Sequence, residues 1–431
     1  SLTDLAVLPD YEEGWGYHGG GPQGAPVDDE GNPIFYDVPP SWQDAANDGE
    51  RWRWVLEQMV EWDPNRRTEE RLTRAEFLHA QFGVQTLAGM PIPLLGGSDD
   101  GTDRPPTWQL DTLAENETIA RLASGIKRFD LPEGQNFIQL YQQVLSDTAP
   151  KSDDERQART TAINQLGSIF QNRRQYDRAA EYLRIAVEET SGEMQKHYRA
   201  MLDQIIGNWG EFGGVATQPA GRGATVEFRF RNARQVEFTA QAIDVSKLLA
   251  DLKKYLKSNP ATLDWQRVNI ADIGYRLVQE QQTQYVGEEV ARWTLDLEPR
   301  DKHFDKRITV TSPLQKAGAY LVTAKVADGN TAQIVLWLAD TAIVRKPMAD
   351  KSLYFVADAV TGEPIAKANV EFFGYRAHHV DGHKFTVDVK DRAETTDANG
   401  QALLAIADKS ENYQWLAIAT GKQGRLAFLG F

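Results

Sequence analysis

Cysteine is missing from all 431 residues. A structural disulfide, a thiolate zinc site, a cysteine nucleophile and an internal thioester are therefore excluded within this chain. The absence fits a reducing cytosol and a bacterial periplasm equally, so it leaves the compartment open. Long apolar runs are missing too: no stretch approaches the ~18 uninterrupted apolar residues that a membrane helix needs. Basic charge is in deficit, with 47 Lys and Arg against 62 Asp and Glu and a net charge of −15. That argues against nucleic acid as a partner, because phosphate neutralisation needs an excess of Lys and Arg on some face. The clusters "RRTEERLTR" and "NRRQYDR" mix basic with acidic or neutral polar residues and read as solvated helix faces.

What is present is ordinary for a globular protein: 41% apolar and 25% charged residues. At roughly 100–200 residues per domain, the length suggests two to four domains. The chain opens on "SLTDLAV", without a Met or a basic-plus-apolar signal, and closes on the apolar run "GRLAFLGF". An apolar strand end must be buried by something. The expectation is that both ends are cut and that the parent polypeptide is longer.

Along the chain, residues 1–212 read as an α-helical domain with a Gly/Pro-rich entry, "GWGYHGGGPQGAP". From Ser41 to about Leu87 the apolar spacing is helical, and the first segment's tryptophans, Trp15, Trp42, Trp52, Trp54 and Trp62, fit core packing better than a glycan platform. Residues 111–209 read as consecutive helices, including "LAENETIARLASGIKRF". Within them Leu166, Gly167, Phe170, Ala179, Leu183 and Ala186 stand at the spacing of a tetratricopeptide repeat. The small residues would let two helices approach and the large ones would fill the gap. One good unit cannot bury its own faces, so neighbouring helices must act as partners or caps.

After the Gly-rich "GEFGGVATQPAGRG" the period changes to two. "ATVEFRFRN", "QVEFTAQAI", "VARWTLDL", "KRITVTSP", "GAYLVTAKVADG" and "AQIVLWLADTAIV" read as strands, with a helical insert at "VSKLLADLKKYLKSN". Residues 222–345 are thus an expected antiparallel β-sandwich, and residues 347–431 a second, smaller one. In the second, "AVTGEP" sets a turn and "DANG" a hairpin turn, because Asn399 and Gly400 accept positive φ. The fold class expected is multidomain α + β.

Candidate chemistry is thin. "HHVDGH" places His378, His379, Asp381 and His383 close together, as imidazole metal ligands could be. Adjacent strand residues point to opposite faces, so His378 and His379 would not share an ion on a regular strand. The glycine loop lacks the Lys-Ser/Thr of a phosphate loop, and "DDEGN" and "SDDGTDR" lack the full calcium-loop pattern. No Ser, His and Asp stand in a nucleophile motif. The reading assigns no catalytic, cofactor or metal residue, expects no cofactor, and takes the chain as non-enzymatic.

The run "KAGAYLVTAKVADGNTAQIVLWLADTAIVRKPMADKSLYFVADAVTGEPIAKANVEFFGY", followed by "TTDANGQALLAI", resembles adjoining macroglobulin (MG) domains of bacterial alpha-2-macroglobulins. The resemblance covers residues 222–431. It implies a protease trap, in which cleavage of a bait segment rearranges the MG domains around the protease, often with a Cys–Gln thioester. Without cysteine there is no thioester motif, and no stretch can be singled out as bait, so the resemblance implies a non-catalytic N-terminal scaffold. It also implies a protein partner (a target protease or an envelope partner) and a place in the periplasm or at the cell surface. The alternative is a surface adhesion or assembly protein whose helical repeats and Ig-like modules hold a protein or glycan.

Overall fold

The computed structural model describes residues 25–83, 109–146, 150, 152–214, 217–264, 268, 283–348, 351–381, 384–405 and 413–430. The chain divides into two compact units, Ser1–Gly207 with Arg300–Phe304, and Asn208–Pro299 with Asp305–Phe431. Helices and mostly antiparallel sheets make it a mixed α + β protein.

In the first unit, α1 (Asp48–Trp62) starts at Asn47, whose side chain accepts the Glu50 N–H at 2.9 Å. The Glu50 carboxylate reaches back past the cap to the Ala46 N–H at 2.7 Å. The periodic run from Ser41 does not continue as one helix. Asp63 and Pro64 break it, because Asp63 leaves the helical region and Pro64 begins a separate turn. Helix α2 (Arg67–Phe82) follows. Trp52 packs on Phe77 and Trp54 on Trp42, at ring separations of 4.8 and 6.1 Å. Trp62, by contrast, is 90% exposed, so core packing does not account for every tryptophan.

The helix expected over "ENETIARLASGIKRF" is a hairpin. Strands β1 (Glu117–Leu122) and β2 (Gly125–Asp130) pair antiparallel around Ala123 and Ser124. Gly125 takes φ +119°, which a glycine adopts without steric cost. Thr118 and Ile119 are β-branched and fully buried, where a pleated strand packs them well.

Four helices complete the unit: α3 (Phe137–Ser146), α4 (Asp153–Asn172), α5 (Tyr176–Glu189) and α6 (Gly192–Ile206). Helices α4 and α5 form a hairpin joined by Arg173, Arg174 and Gln175. Leu166, Phe170, Ala179, Leu183 and Ala186 are buried in one core with Phe137, Tyr141 and Leu202. Each large apolar side chain there contributes about 1.5–3 kcal/mol by leaving water. Gly167 faces Leu183, but a Cβ added at Gly167 would stand 3.9 Å from it, an ordinary contact. The helix approach therefore does not depend on glycine at that position.

The cluster "NRRQYDR" is not a solvated face throughout. Arg173 is 0% exposed. Its guanidinium donates to the carbonyl oxygens of Ala114 and Glu117 at 3.2 and 2.9 Å, tying the α4–α5 link to the start of β1 and the segment before it. In "RRTEERLTR", Glu70 is buried and accepts from Arg74 at 3.1 Å. Both charges keep hydrogen-bond partners, as buried charges must.

In the second unit the strands are β3 (Trp209–Phe212), β4 (Gln218–Pro219), β5 (Thr225–Arg231) and β6 (Gln235–Ile243). Helix α7 (Val245–Lys257) precedes β7 (Val286–Asp296), β8 (Lys306–Thr311), β9 (Gly318–Val326) and β10 (Thr331–Ala339). Then come β11 (Thr341–Pro347), β12 (Lys351–Asp358), β13 (Asn369–Asp381) and β14 (Lys384–Thr395). Last are β15 (Gln401–Ala405), β16 (Gln414–Thr420) and β17 (Leu426–Leu429).

One pair of sheets has the orders β3-β5-β8 and β4-β10-β9-β6-β7. Its core holds Val226, Phe228 and Phe230 from β5 with Val236, Phe238, Val322 and Leu336 from the facing sheet. Period two is visible directly: Val226, Phe228 and Phe230 are buried while Thr225 and Glu227 are exposed. The other pair, β11-β12-β15 and β14-β13-β16-β17, encloses Tyr354, Val356, Val370, Phe372 and Leu404.

The chain passes from one pair to the other between Ala339 and Thr341, since β10 pairs with β9 and β11 with β12. Helix α7 lays Leu248, Leu249, Leu252 and Leu256 in a further core with Leu321, Phe373, Tyr375 and Leu416. It thereby covers the outer face of β9 and of the four-stranded sheet. The helix ends at Ser258, and the next residue, Asn259, accepts the Val387 N–H of edge strand β14 at 2.8 Å.

Candidate interaction surface

Among the described residues, two clefts stand out in the first unit. One, of about 470 Å³, has an apolar floor of Leu145, Ile163, Ala186 and Tyr198. Its wall is a clasp between helices. Arg159 on α4 donates to both carboxylate oxygens of Glu189 on α5, with Nε at 2.8 and 3.1 Å and Nη2 at 2.6 Å. The remaining nitrogen, Nη1, donates to the Leu145 carbonyl at the end of α3. The Glu189 carboxylate raises the Arg159 guanidinium above its ordinary value. The clasp uses the guanidinium's fork geometry, which matches a carboxylate bidentately.

A second cleft, of about 300 Å³, lies beside the start of α5, between Glu115, Phe170, Arg178 and Phe304. Arg178 pairs with Glu115 and stands 5.2 Å over the Phe170 ring. Phe170 in turn stacks on Tyr182 at 5.5 Å. Each cleft sets one arginine–carboxylate pair, Arg159–Glu189 or Arg178–Glu115, beside apolar side chains. Sequence reading missed the clasp: Arg159 and Glu189 are 30 residues apart, and only the hairpin register of α4 and α5 brings them together.

The histidine cluster is only partly within the described residues. His378 is exposed, and its Nε2 lies 3.1 Å from Asp388 Oδ2 on β14. Arg376 donates to the same oxygen at 2.9 Å, and this bond, more than the histidine, holds the Asp388 carboxyl below its ordinary value. His378 and His379 occupy successive regular register positions opposite Thr386 and Phe385, with a shift only between His379 and Asp381. The side chains of His379 and Asp381, and all of His383, lie outside the described residues.

The described residues contain no group of three or more His, Cys, Asp or Glu side chains placed to hold a metal ion. No helix among them is long and apolar enough to cross a membrane. The "GWGYHGGGPQG" loop and "SDDGTDR" lie outside the described residues. In "DDEGN", Asp28 accepts the N–H groups of Glu30 and Asn32 at 3.1 and 2.7 Å. Those bonds close a turn.

No family model matches the sequence. No curated protein matches it either. Solved structures do. Escherichia coli alpha-2-macroglobulin spanning domains NIE-MG1 is 17% identical, with a TM-score of 0.34, over 52% of this chain and 98% of that one. The same protein spanning MG0-NIE-MG1 is 15% identical, with a TM-score of 0.34, over 52% of this chain and 64% of that one. The native conformation of the E. coli protein is 17% identical, with a TM-score of 0.30, over 52% of this chain and 13% of that one. The chain thus spans a small part of that largest relative, and these solved structures to which it is similar are bacterial alpha-2-macroglobulins.

Proposed function

We propose that this chain is a non-catalytic scaffold of a large alpha-2-macroglobulin-like protein that inhibits proteases. One observation carries the reading. Two β-sandwich cores are joined without a spacer, because β10 and β11 are separated by Asp340 alone. A direct join transmits a displacement of one sandwich to the next, where a flexible linker would absorb it. The turns "TGEP" and "DANG" that carry the MG resemblance support it further. Gly362 and Gly400 there take φ +75° and +71°.

In this reading three modules follow one another along the chain: the N-terminal helical one, then two sandwiches that meet at Asp340. The first contributes tetratricopeptide-like helices, whose clefts meet a protein partner, and the other two are MG-like. The protein works in the periplasm or at the cell surface. The test is to expose the whole polypeptide carrying this chain to limiting trypsin and follow its hydrodynamic radius. A trap contracts and carries trypsin with it through a sizing column. Fragmentation with trypsin eluting alone contradicts the proposal.

A further inference from the structure

The sequence contains one Asn-Gly pair, Asn399-Gly400, in the turn between β14 and β15, with Asn399 exposed and Gly400 buried. Glycine lacks a Cβ, so its amide nitrogen can approach the preceding side-chain amide with little hindrance. We propose that Asn399 is the chain's site of spontaneous succinimide formation, and that Asp397 holds this reaction dormant while the turn is folded.

The chemistry balances with water alone. The Gly400 amide loses its proton to a solvent base and its nitrogen attacks Asn399 Cγ. The N–Cγ bond forms, the Cγ–Nδ2 bond breaks, and the amide leaves with a proton as ammonia. Water then opens the ring at either carbonyl, giving aspartate or isoaspartate at 399. The isoaspartyl product routes the backbone through the side chain and adds a methylene to the turn.

Three features of the turn oppose the first step. The Gly400 N–H donates to the Asp397 carbonyl oxygen at 3.1 Å, which stabilises the protonated amide. Asp397 Oδ1 accepts the N–H groups of Asn399 and Gln401, both at 2.9 Å, placing a negative charge beside the nitrogen that must become anionic. The backbone is also held on both sides. The Val356 N–H donates to Gly400 O at 2.8 Å, and the Asp397 N–H donates to Gln401 O at 2.9 Å. Attack on Cγ requires Gly400 N to turn toward the Asn399 side chain, which breaks these bonds.

Each hydrogen bond that must open contributes about 0.5–1.5 kcal/mol, or roughly two- to tenfold in rate. The experiment holds the intact chain at mildly alkaline pH, folded and in guanidinium. Peptide mass mapping reads Asn against Asp at 399, and isoaspartyl methyltransferase labelling reads the isomer. The denatured chain is expected to convert at least about tenfold faster than the folded one. Asp397→Ala is expected to accelerate the folded chain about three- to tenfold.

Asp397→Asn keeps an acceptor oxygen but removes the charge, and is expected to fall between wild type and Asp397→Ala. Its native circular dichroism guards against a trivial unfolding effect. Equal rates in folded and denatured chains overturn the proposal. So does an unchanged rate in the folded Asp397→Asn chain, or an intact Asn399 in the denatured one.

Discussion

Arg425 donates to Asp358 across 67 residues of sequence, Nη2 to Oδ2 at 2.9 Å, and its Nη1 donates to the Asp340 carbonyl at 2.9 Å. One side chain thus ties the turn before β17 to the end of β12 and to the residue between β10 and β11. The Asp358 carboxylate also caps its own turn, accepting the N–H groups of Val360 and Thr361 at 2.9 Å. The Thr361 bond first, then Arg425, hold its carboxyl at about 2, below the ordinary 3.8.

The direction of its pH dependence follows. A carboxyl depressed in the fold stabilises it above its unfolded value, and that contribution is lost as pH falls through the folded value. Between about pH 4 and pH 2 the second unit should therefore lose stability faster in the wild type than in Asp358→Asn. Thermal melts of both proteins across that range measure it; parallel pH profiles contradict it.

His79 gives the opposite kind of group in the first unit. Its ring stacks on Phe137 at 5.0 Å and meets Tyr141 edge-on at 6.0 Å. Burial first, and the nearby Arg173 cation second, lower it from 6.5 to about 4. The unfolded chain therefore binds the proton more readily, and stability falls as pH drops from about 6.5 to about 4. The loss is roughly 1–3 kcal/mol over that window. His79→Gln should flatten this slope in denaturant titrations, whatever it does to stability at neutral pH.

Arg173 is the buried link of that unit. Burial lowers its guanidinium to about 10, still cationic at neutral pH. Arg173→Met removes both donors and leaves the Ala114 and Glu117 carbonyls without their bonds to Arg173. Ala114 is exposed and its carbonyl keeps the Glu117 N–H at 3.1 Å, so the expected cost is roughly 1–3 kcal/mol. Urea unfolding monitored in the helical signal checks it; a change under 0.5 kcal/mol contradicts it.

Two glycines should respond with opposite signs. Gly167 lies within α4, where a methyl group fits beside Leu183, so Gly167→Ala should stabilise by about 0.5–1 kcal/mol. Gly400 takes φ +71°, and a Cβ there would lie 2.5 Å from the Val356 carbonyl oxygen. Gly400→Ala should destabilise by roughly 1–3 kcal/mol. Melting temperatures of the two variants decide both.

The β half was legible because its strands alternate cleanly. Val226, Phe228 and Phe230 point inward, and "DANG" marks a real turn held by Asp397. The β1–β2 hairpin was not legible. Ile119, Ala120 and Leu122 stand among Ala, Glu and Arg, good helix formers, so spacing alone suits a helix as well as a strand. Arg173 was misread for a different reason: its partners are backbone carbonyls 56 and 59 residues earlier, which carry no residue-type signal. The Arg159–Glu189 clasp was hidden likewise, since its residues stand 30 apart on different helices.

The most direct test of the scaffold reading compares two substrates of one protease in the presence of the whole polypeptide. An enclosed protease keeps its active site but loses access to large proteins. The account predicts that cleavage of a short chromogenic peptide continues while digestion of casein falls at least about tenfold, a difference of about 1.4 kcal/mol in access. Equal cleavage of both substrates at full speed, or equal loss of both, contradicts it.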